Sequence, residues 1–186
     1  MSLSEIRLNQ SQRIAIVGTS GSGKTTLARQ ISQQLDLPHI ELDALHWEPN
    51  WLEAPTEVFQ SRVKEALKED RWVVDGNYSK VRNLVWSRAD TLVWLDYSFP
   101  VVLQRILKRT LWRVATRQKL WNGNREGLRE TFSQNSIVLW VFRTHWKHQR
   151  NYPLLFQQPE YAHLKVVRLA SPQATQRWLS PSVAKT

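Results

Sequence analysis

The chain has 186 residues, 41% hydrophobic and 23% charged, long enough to bury one full core and short enough that a single domain over 1–186 is expected. It has no cysteine, which excludes disulfides, thiolate catalysis and cysteine-based zinc sites and suits a cytoplasmic protein. The segment before Arg13 lacks an apolar signal core and no apolar run reaches the length of a membrane span, while a formal net charge of +10 calls for an anionic partner, either phosphorylated small molecules or nucleic acid.

The β-branched run Arg13 to Val17 predicts a buried strand ending at a glycine, and Leu27, Ala28, Ile31 and Leu35 predict a helix from Lys24. Pro38 breaks that helix before a second short strand, His39 to Leu42. A segment rich in Trp and Pro, Ala44 to Pro55, precedes an amphipathic helix over Thr56 to Glu69 with Val58, Phe59, Val63, Ala66 and Leu67 inward. Trp72 to Val74, ending at Asp75, and Thr91 to Leu95, ending at Asp96, are continuous apolar runs, as in parallel strands covered on both faces. Pro100 starts a helix to about Gln118, Gly123 and Gly127 mark a loop, and a long helix runs from Thr131 to about Tyr152, with Ile137 to Phe142 as a buried apolar turn. Lys165 to Leu169 is a fifth strand and Pro172 to Leu179 a closing helix. Strands alternating with helices predict an α/β doubly wound parallel sheet. Most of the ten tryptophans fall in apolar periodic contexts and read as core.

Gly18-Thr19-Ser20-Gly21-Ser22-Gly23-Lys24-Thr25 matches G-x-x-x-x-G-K-[ST] and lies between the first strand and the first helix. Its glycines let backbone N–H groups converge on phosphate oxygens at a positive helix end. Lys24 reaches the β- and γ-phosphates, the Thr25 hydroxyl ligates magnesium, and Thr26 continues the nucleotide contact. A glycine-rich turn with a chance lysine is the bland alternative, and the strand–loop–helix setting argues against it. The expected cofactors are ATP and Mg2+.

Ligands of open α/β sheets collect beyond the strands' carboxyl ends, where Asp43, Asp75 and Asp96 fall. Asp75 takes the magnesium role of a Walker-B aspartate, against an Asx turn before Gly76-Asn77. Asp96 reads as a helix-start residue favoured by the dipole. Asp43, His46 and Trp47 are placed to hold an acceptor, or equally to pack. Arg105, Arg109, Arg113 and Arg117 recur every four residues opposite a stripe of Leu103, Ile106, Leu107 and Val114. They form either a solvated basic face or a column that neutralises charge on a transferred phosphoryl group. Arg125 and Arg129 extend the positive region into a lid. His145 and His148 have no nearby carboxylate or cysteine, which disfavours a metal there.

The order of these motifs, with Leu42-Asp43-Ala44-Leu45-His46-Trp47 and Val74-Asp75-Gly76-Asn77-Tyr78, resembles the P-loop nucleoside monophosphate kinase superfamily. Within it the chain is most similar to the adenylate-kinase-like branch known as topology modulation proteins. The resemblance implies a P-loop NTPase fold with a five-stranded parallel core, a small acceptor-binding insertion at about 43–66 and a lid at about 113–130. It implies transfer of the ATP γ-phosphate, with Lys24 and the lid arginines Arg105, Arg109 and Arg113 catalytic, and Ser171 and Pro172 beside adenine. Asp43, His46, Trp47, Asn77, Tyr78 and Arg82 fall on the acceptor side. His46 and Ser79 stand where adenylate kinases carry the two arginines that grip the monophosphate, with Lys80 or Arg82 as substitutes for the second. A nucleic-acid-binding regulatory NTPase is the second reading, placed below the kinase because no helix-turn-helix, RRM or OB signature is present.

Overall fold

The computed structural model describes residue 8 and residues 11–116, 118–124 and 137–180; Arg117, Arg125, Arg129, Gly127 and Thr131 lie outside them. Five parallel strands, β1 (Arg13–Gly18), β2 (His39–Glu41), β3 (Trp72–Asp75), β4 (Thr91–Leu95) and β5 (Lys165–Leu169), form one sheet in the order β2-β3-β1-β4-β5. The three central strands are buried on both faces, which explains their unalternating apolar runs. The helices are α1 (Lys24–Leu35), α2 (Leu42–His46), α3 (Thr56–Ala66), α4 (Arg82–Trp86), α5 (Phe99–Thr116), α6 (Ile137–Phe156) and α7 (Pro172–Leu179).

Alternate residues of each strand feed two cores. Ile14, Ile16, Val73 and Val93 pack with Leu27 and Ile31 of α1, Val102 and Ile106 of α5 and Leu179 of α7. Ala15, Val74, Leu92 and Trp94 pack with Phe59 and Val63 of α3 and Trp86 of α4. α6 joins both: Val141 belongs to the first core and Tyr152 to the second. Its middle therefore crosses the carboxyl end of the sheet.

Several expectations are corrected. Leu42 leaves β2 and opens α2, and α3 stops at Ala66, three residues early. Val58 is exposed, since its position on α3 turns away from Phe59 and Val63. α5 ends at Thr116, and Phe142 is exposed beside buried Val141. Asp96 does not start α5: its buried carboxylate accepts a fork from Arg168 of β5 (2.8 and 2.5 Å) and a bond from Gln149 of α6 (3.1 Å). A guanidinium fork satisfies a buried carboxylate better than a helix dipole alone. The tryptophans divide: Trp72, Trp86 and Trp94 are core, whereas Trp112 and Trp146 are exposed.

Candidate active site at the phosphate loop

The loop after β1 is shaped by close approach. Gly18 (φ +150°) has no room for a side chain, because a Cβ there would lie 2.7 Å from the Leu95 carbonyl oxygen. At Gly21 (φ +84°) a Cβ would come within 3.1 Å of the Val102 carbonyl oxygen and Ile106 Cβ of α5. The loop is thus seated between β4 and α5. Gly23 leads into α1 without any side-chain cap, so the first N–H groups of that helix face the loop's hollow, a setting that favours an anion. Two further features fit a phosphate there: among the described residues the buried Ser22 hydroxyl has no hydrogen-bond partner, and Lys24 Nζ donates to the loop carbonyls Gly18 O at 2.9 Å and Thr19 O at 3.3 Å. Burial lowers the Lys24 pKa, opposed by the carboxylates of Asp43 and then Asp75, with the nearby Arg109 charge adding to the lowering. An ammonium destabilised in this way gains from an incoming phosphate.

β3 pairs with β1 so that Asp75 stands opposite Ile16, next to the first turn of α1. The Thr25 hydroxyl donates to Asp75 Oδ2 at 2.6 Å and His39 Nε2 lies 2.8 Å from Asp75 Oδ1. A hydroxyl and a buried carboxylate side by side form the hard oxygen set that magnesium takes alongside phosphate oxygens. His39 was missed in the sequence; its only signal is a polar residue opening a short buried strand. Asn77 is tied to the loop: the Gly18 N–H donates to Asn77 Oδ1 at 3.2 Å and Asn77 Nδ2 donates to the Gly18 carbonyl.

On α5 the buried stripe is Val102, Ile106 and Thr110, not the expected Leu103, Ile106, Leu107 and Val114. Leu107 is exposed, and Arg105, Arg109 and Arg113 are half-buried on the flank of the packed face. The arginine column therefore flanks the buried stripe instead of standing opposite it, and Arg105 reaches the loop. Arg105 donates to the Ser22 carbonyl at 2.9 Å and its guanidinium lies over the Tyr97 ring, 5.1 Å from the centroid.

The middle of α6 closes the other side. His145, fully buried, has Nδ1 3.4 Å from the Thr19 hydroxyl oxygen. His148 stacks on Tyr152, and burial, with the charge of Lys24 next in weight, pushes its pKa down to about 4. Burial thus favours the neutral form of both imidazoles, and that of His145 touches the loop. Among the described residues no three His, Asp or Glu side chains are grouped to hold a metal by themselves.

The acceptor side lies across α2. Tyr78 OH donates to Asp43 Oδ1 at 2.6 Å, and burial together with Asp43 raises the phenol's pKa. His46 is buried among the rings of Trp47, Phe59 and Tyr78. Residues 121–124 dock on the insertion: Asn124 Nδ2 donates to Glu48 O at 2.9 Å, Trp51 N–H donates to Asn124 Oδ1 at 3.0 Å, and Asn122 donates to Trp47 O. Trp47, Trp51 and Trp121 meet edge to face. Arg82 lies over the Trp86 ring at 5.3 Å, and Lys80 pairs with Glu53 at 3.2 Å. Ser171 caps α7, its hydroxyl accepting from the Ala174 N–H at 3.1 Å with Pro172 as the first helical residue.

The parallel sheet with its strand–loop–helix phosphate cradle defines a P-loop NTPase of kinase fold. Residues 14–127 match the AAA domain family model, and the chain belongs to that family. Among curated proteins none matches in sequence. Solved structures with the same fold include shikimate kinases from Aquifex aeolicus (16% identity, TM-score 0.50, 90% of each chain) and Bacteroides thetaiotaomicron (14%, TM-score 0.52, 91% of this chain and 94% of that one). A gluconokinase from Sinorhizobium meliloti 1021 is likewise similar (18%, TM-score 0.51, 94% and 93%).

Proposed function

We propose that this protein is an ATP- and magnesium-dependent small-molecule kinase of the cytoplasm, with the adenylate-kinase-like topology modulation branch as its subgroup. The observation that carries the reading is the convergence of Lys24, the Thr25–Asp75 pair and Arg105 on one loop. The backbone of Gly18 to Thr25 and the adjoining Thr26 would hold the triphosphate, with Ser171 and Pro172 near the base and Thr25 and Asp75 toward magnesium. Bound ATP supplies the phosphoryl group, and magnesium neutralises its charge. Lys24 exchanges its loop carbonyls for phosphate oxygens, Arg109 offsets charge that develops during transfer, and Arg105 braces the loop through Ser22. Asn77 fixes the first glycine. The kinase fold of the similar structures agrees with this reading.

The test is ADP production by the full chain with magnesium, compared with Lys24→Ala. The variant should lose activity by roughly a hundredfold to a thousandfold while keeping its fold. Equal turnover in a folded variant overturns the site.

One observation favours the second reading, a nucleic-acid-binding regulatory NTPase. Arg143, Lys147 and Arg150 are all exposed on α6 at i, i+4 and i+7, one basic face. DNA binding whose affinity and salt slope fall when these three become alanine would support it.

A further inference from the structure

Side chains from three separate elements hold the phosphate loop from outside. Asn77, on the turn after β3, bonds both the N–H and the carbonyl of Gly18, and Arg105 of α5 donates to the carbonyl of Ser22. His145 of α6, 126 positions along the chain, meets the side chain of Thr19. The place of His145 is fixed from both directions along its helix. One turn earlier Val141 is buried in the first core, and one turn later Gln149 donates to Asp96, itself held by the Arg168 fork. Phe99 and Trp146 meet the imidazole edge to face, with centroids at 5.5 and 4.9 Å. The residue is 1% exposed, so the ring is walled in against the loop.

The position of its proton follows from the polar atoms around it. Burial lowers the His145 pKa, opposed by Asp96, so at neutral pH the ring has one N–H to donate and one lone pair to accept. Among the described residues Nε2 is buried without a partner. A buried N–H left unpaired is rarer than an idle acceptor. The proton therefore belongs on Nδ1, which donates to the Thr19 hydroxyl oxygen at 3.4 Å.

We infer that His145 is a positioning residue of the nucleotide site: through Thr19 it holds the first half of the phosphate loop in the shape that receives the polyphosphate. The inference rests on the kinase reading and deepens it. Lys24 Nζ ties this half together by donating to the Gly18 and Thr19 carbonyls, and that tie is given up when the ammonium turns to phosphate. Gly18 then keeps its bonds to Asn77. The Thr19 carbonyl keeps only a bond from the Ser22 N–H at 3.0 Å, which lies within the loop and does not fasten it to the fold. The side-chain bond to His145 is what ties Thr19 to a packed helix. A loop that drifts presents its N–H groups out of register with the phosphate oxygens, so the loss falls on polyphosphate binding.

The test is calorimetric titration of the full chain, with magnesium, by a non-hydrolysable ATP analogue, in the wild type and in His145→Ala, His145→Asn and His145→Gln. Asparagine carries its amide N–H near the position of Nδ1 and glutamine nearer that of Nε2, so the pair separates the hydrogen bond from the filling of space. Alanine and glutamine should weaken binding roughly tenfold, while asparagine should stay within about threefold of the wild type. Thr19→Val should weaken it as alanine does, and adding it to His145→Ala should cost nothing further. Glutamine binding as tightly as asparagine, or losses that multiply in the double variant, overturns the inference. Where the His145 variants do not fold, Thr19→Val alone decides: roughly tenfold weaker binding supports the inference and unchanged affinity overturns it. Wild-type protein that does not bind the analogue overturns the kinase reading and the inference with it, whereas a binding wild type with unaffected variants overturns the inference alone.

Discussion

The phosphate loop and the acceptor insertion lie on either side of Lys24, yet they are built by opposite rules. The loop is a contiguous segment whose backbone performs the binding, so glycine spacing and one lysine specify it. The insertion works through side chains brought together from distant parts of the chain. Asp43 is set by Tyr78, and the insertion is tied down by Asn122 and Asn124 reaching back to Trp47 and Glu48. The comparison teaches that a backbone site is written in one contiguous segment, whereas a side-chain site is assembled from residues far apart in the chain.

The strongest challenge to this division after Lys24→Ala is Arg109→Ala. If Arg109 contacts phosphate chiefly as charge redistributes, turnover should fall roughly a hundredfold at nearly constant nucleotide KM. Lysine should rescue it poorly, since an ammonium lacks the guanidinium fork. A rise in nucleotide KM with constant kcat would instead make it a ground-state contact.

Asp75→Asn tests the metal side. Its expected mark is a shift of the magnesium titration by about tenfold to a hundredfold, because the Thr25 hydroxyl and His39 would lose their common carboxylate. An unchanged magnesium midpoint would move that role to another strand-end carboxylate.

Tyr78→Phe should be milder and confined to the other half. Removing one hydrogen bond to a charged group costs about 1.5 kcal/mol or somewhat more, so acceptor KM should rise roughly tenfold while ATP affinity stays constant. Equal effects on both substrates would show that the halves are not independent.

The smallest effect concerns stability against pH. His148, with Lys24, His145, Lys147 and Arg82 around it, has its pKa pushed down to about 4, below the ordinary value near 6.5. Between those values the unfolded chain binds a proton that the native protein excludes, so this group costs stability as pH falls from about 6.5 to about 4. Chemical denaturation of His148→Gln across that range should show a shallower loss than the wild type, and parallel curves would remove His148 from the acid response.

By itself the sequence determined the architecture and the loop. Five short strand patterns between helical periods predict the parallel sheet, and Gly18 to Thr25 declares its place between β1 and α1, because local backbone patterning carries both signals. The place of Asp75, at the end of a buried strand beside the loop, was legible for the same reason. Tertiary structure alone decided the rest. Asp96 became a partner of Arg168 and Gln149, and Arg105 met the loop because packing selected Val102, Ile106 and Thr110 as the buried stripe. His145 reached the loop from more than a hundred residues away because α6 packs into both cores and crosses the strand ends. Helical spacing fixes which residues share a face, but the direction of that face depends on neighbours that no local pattern contains.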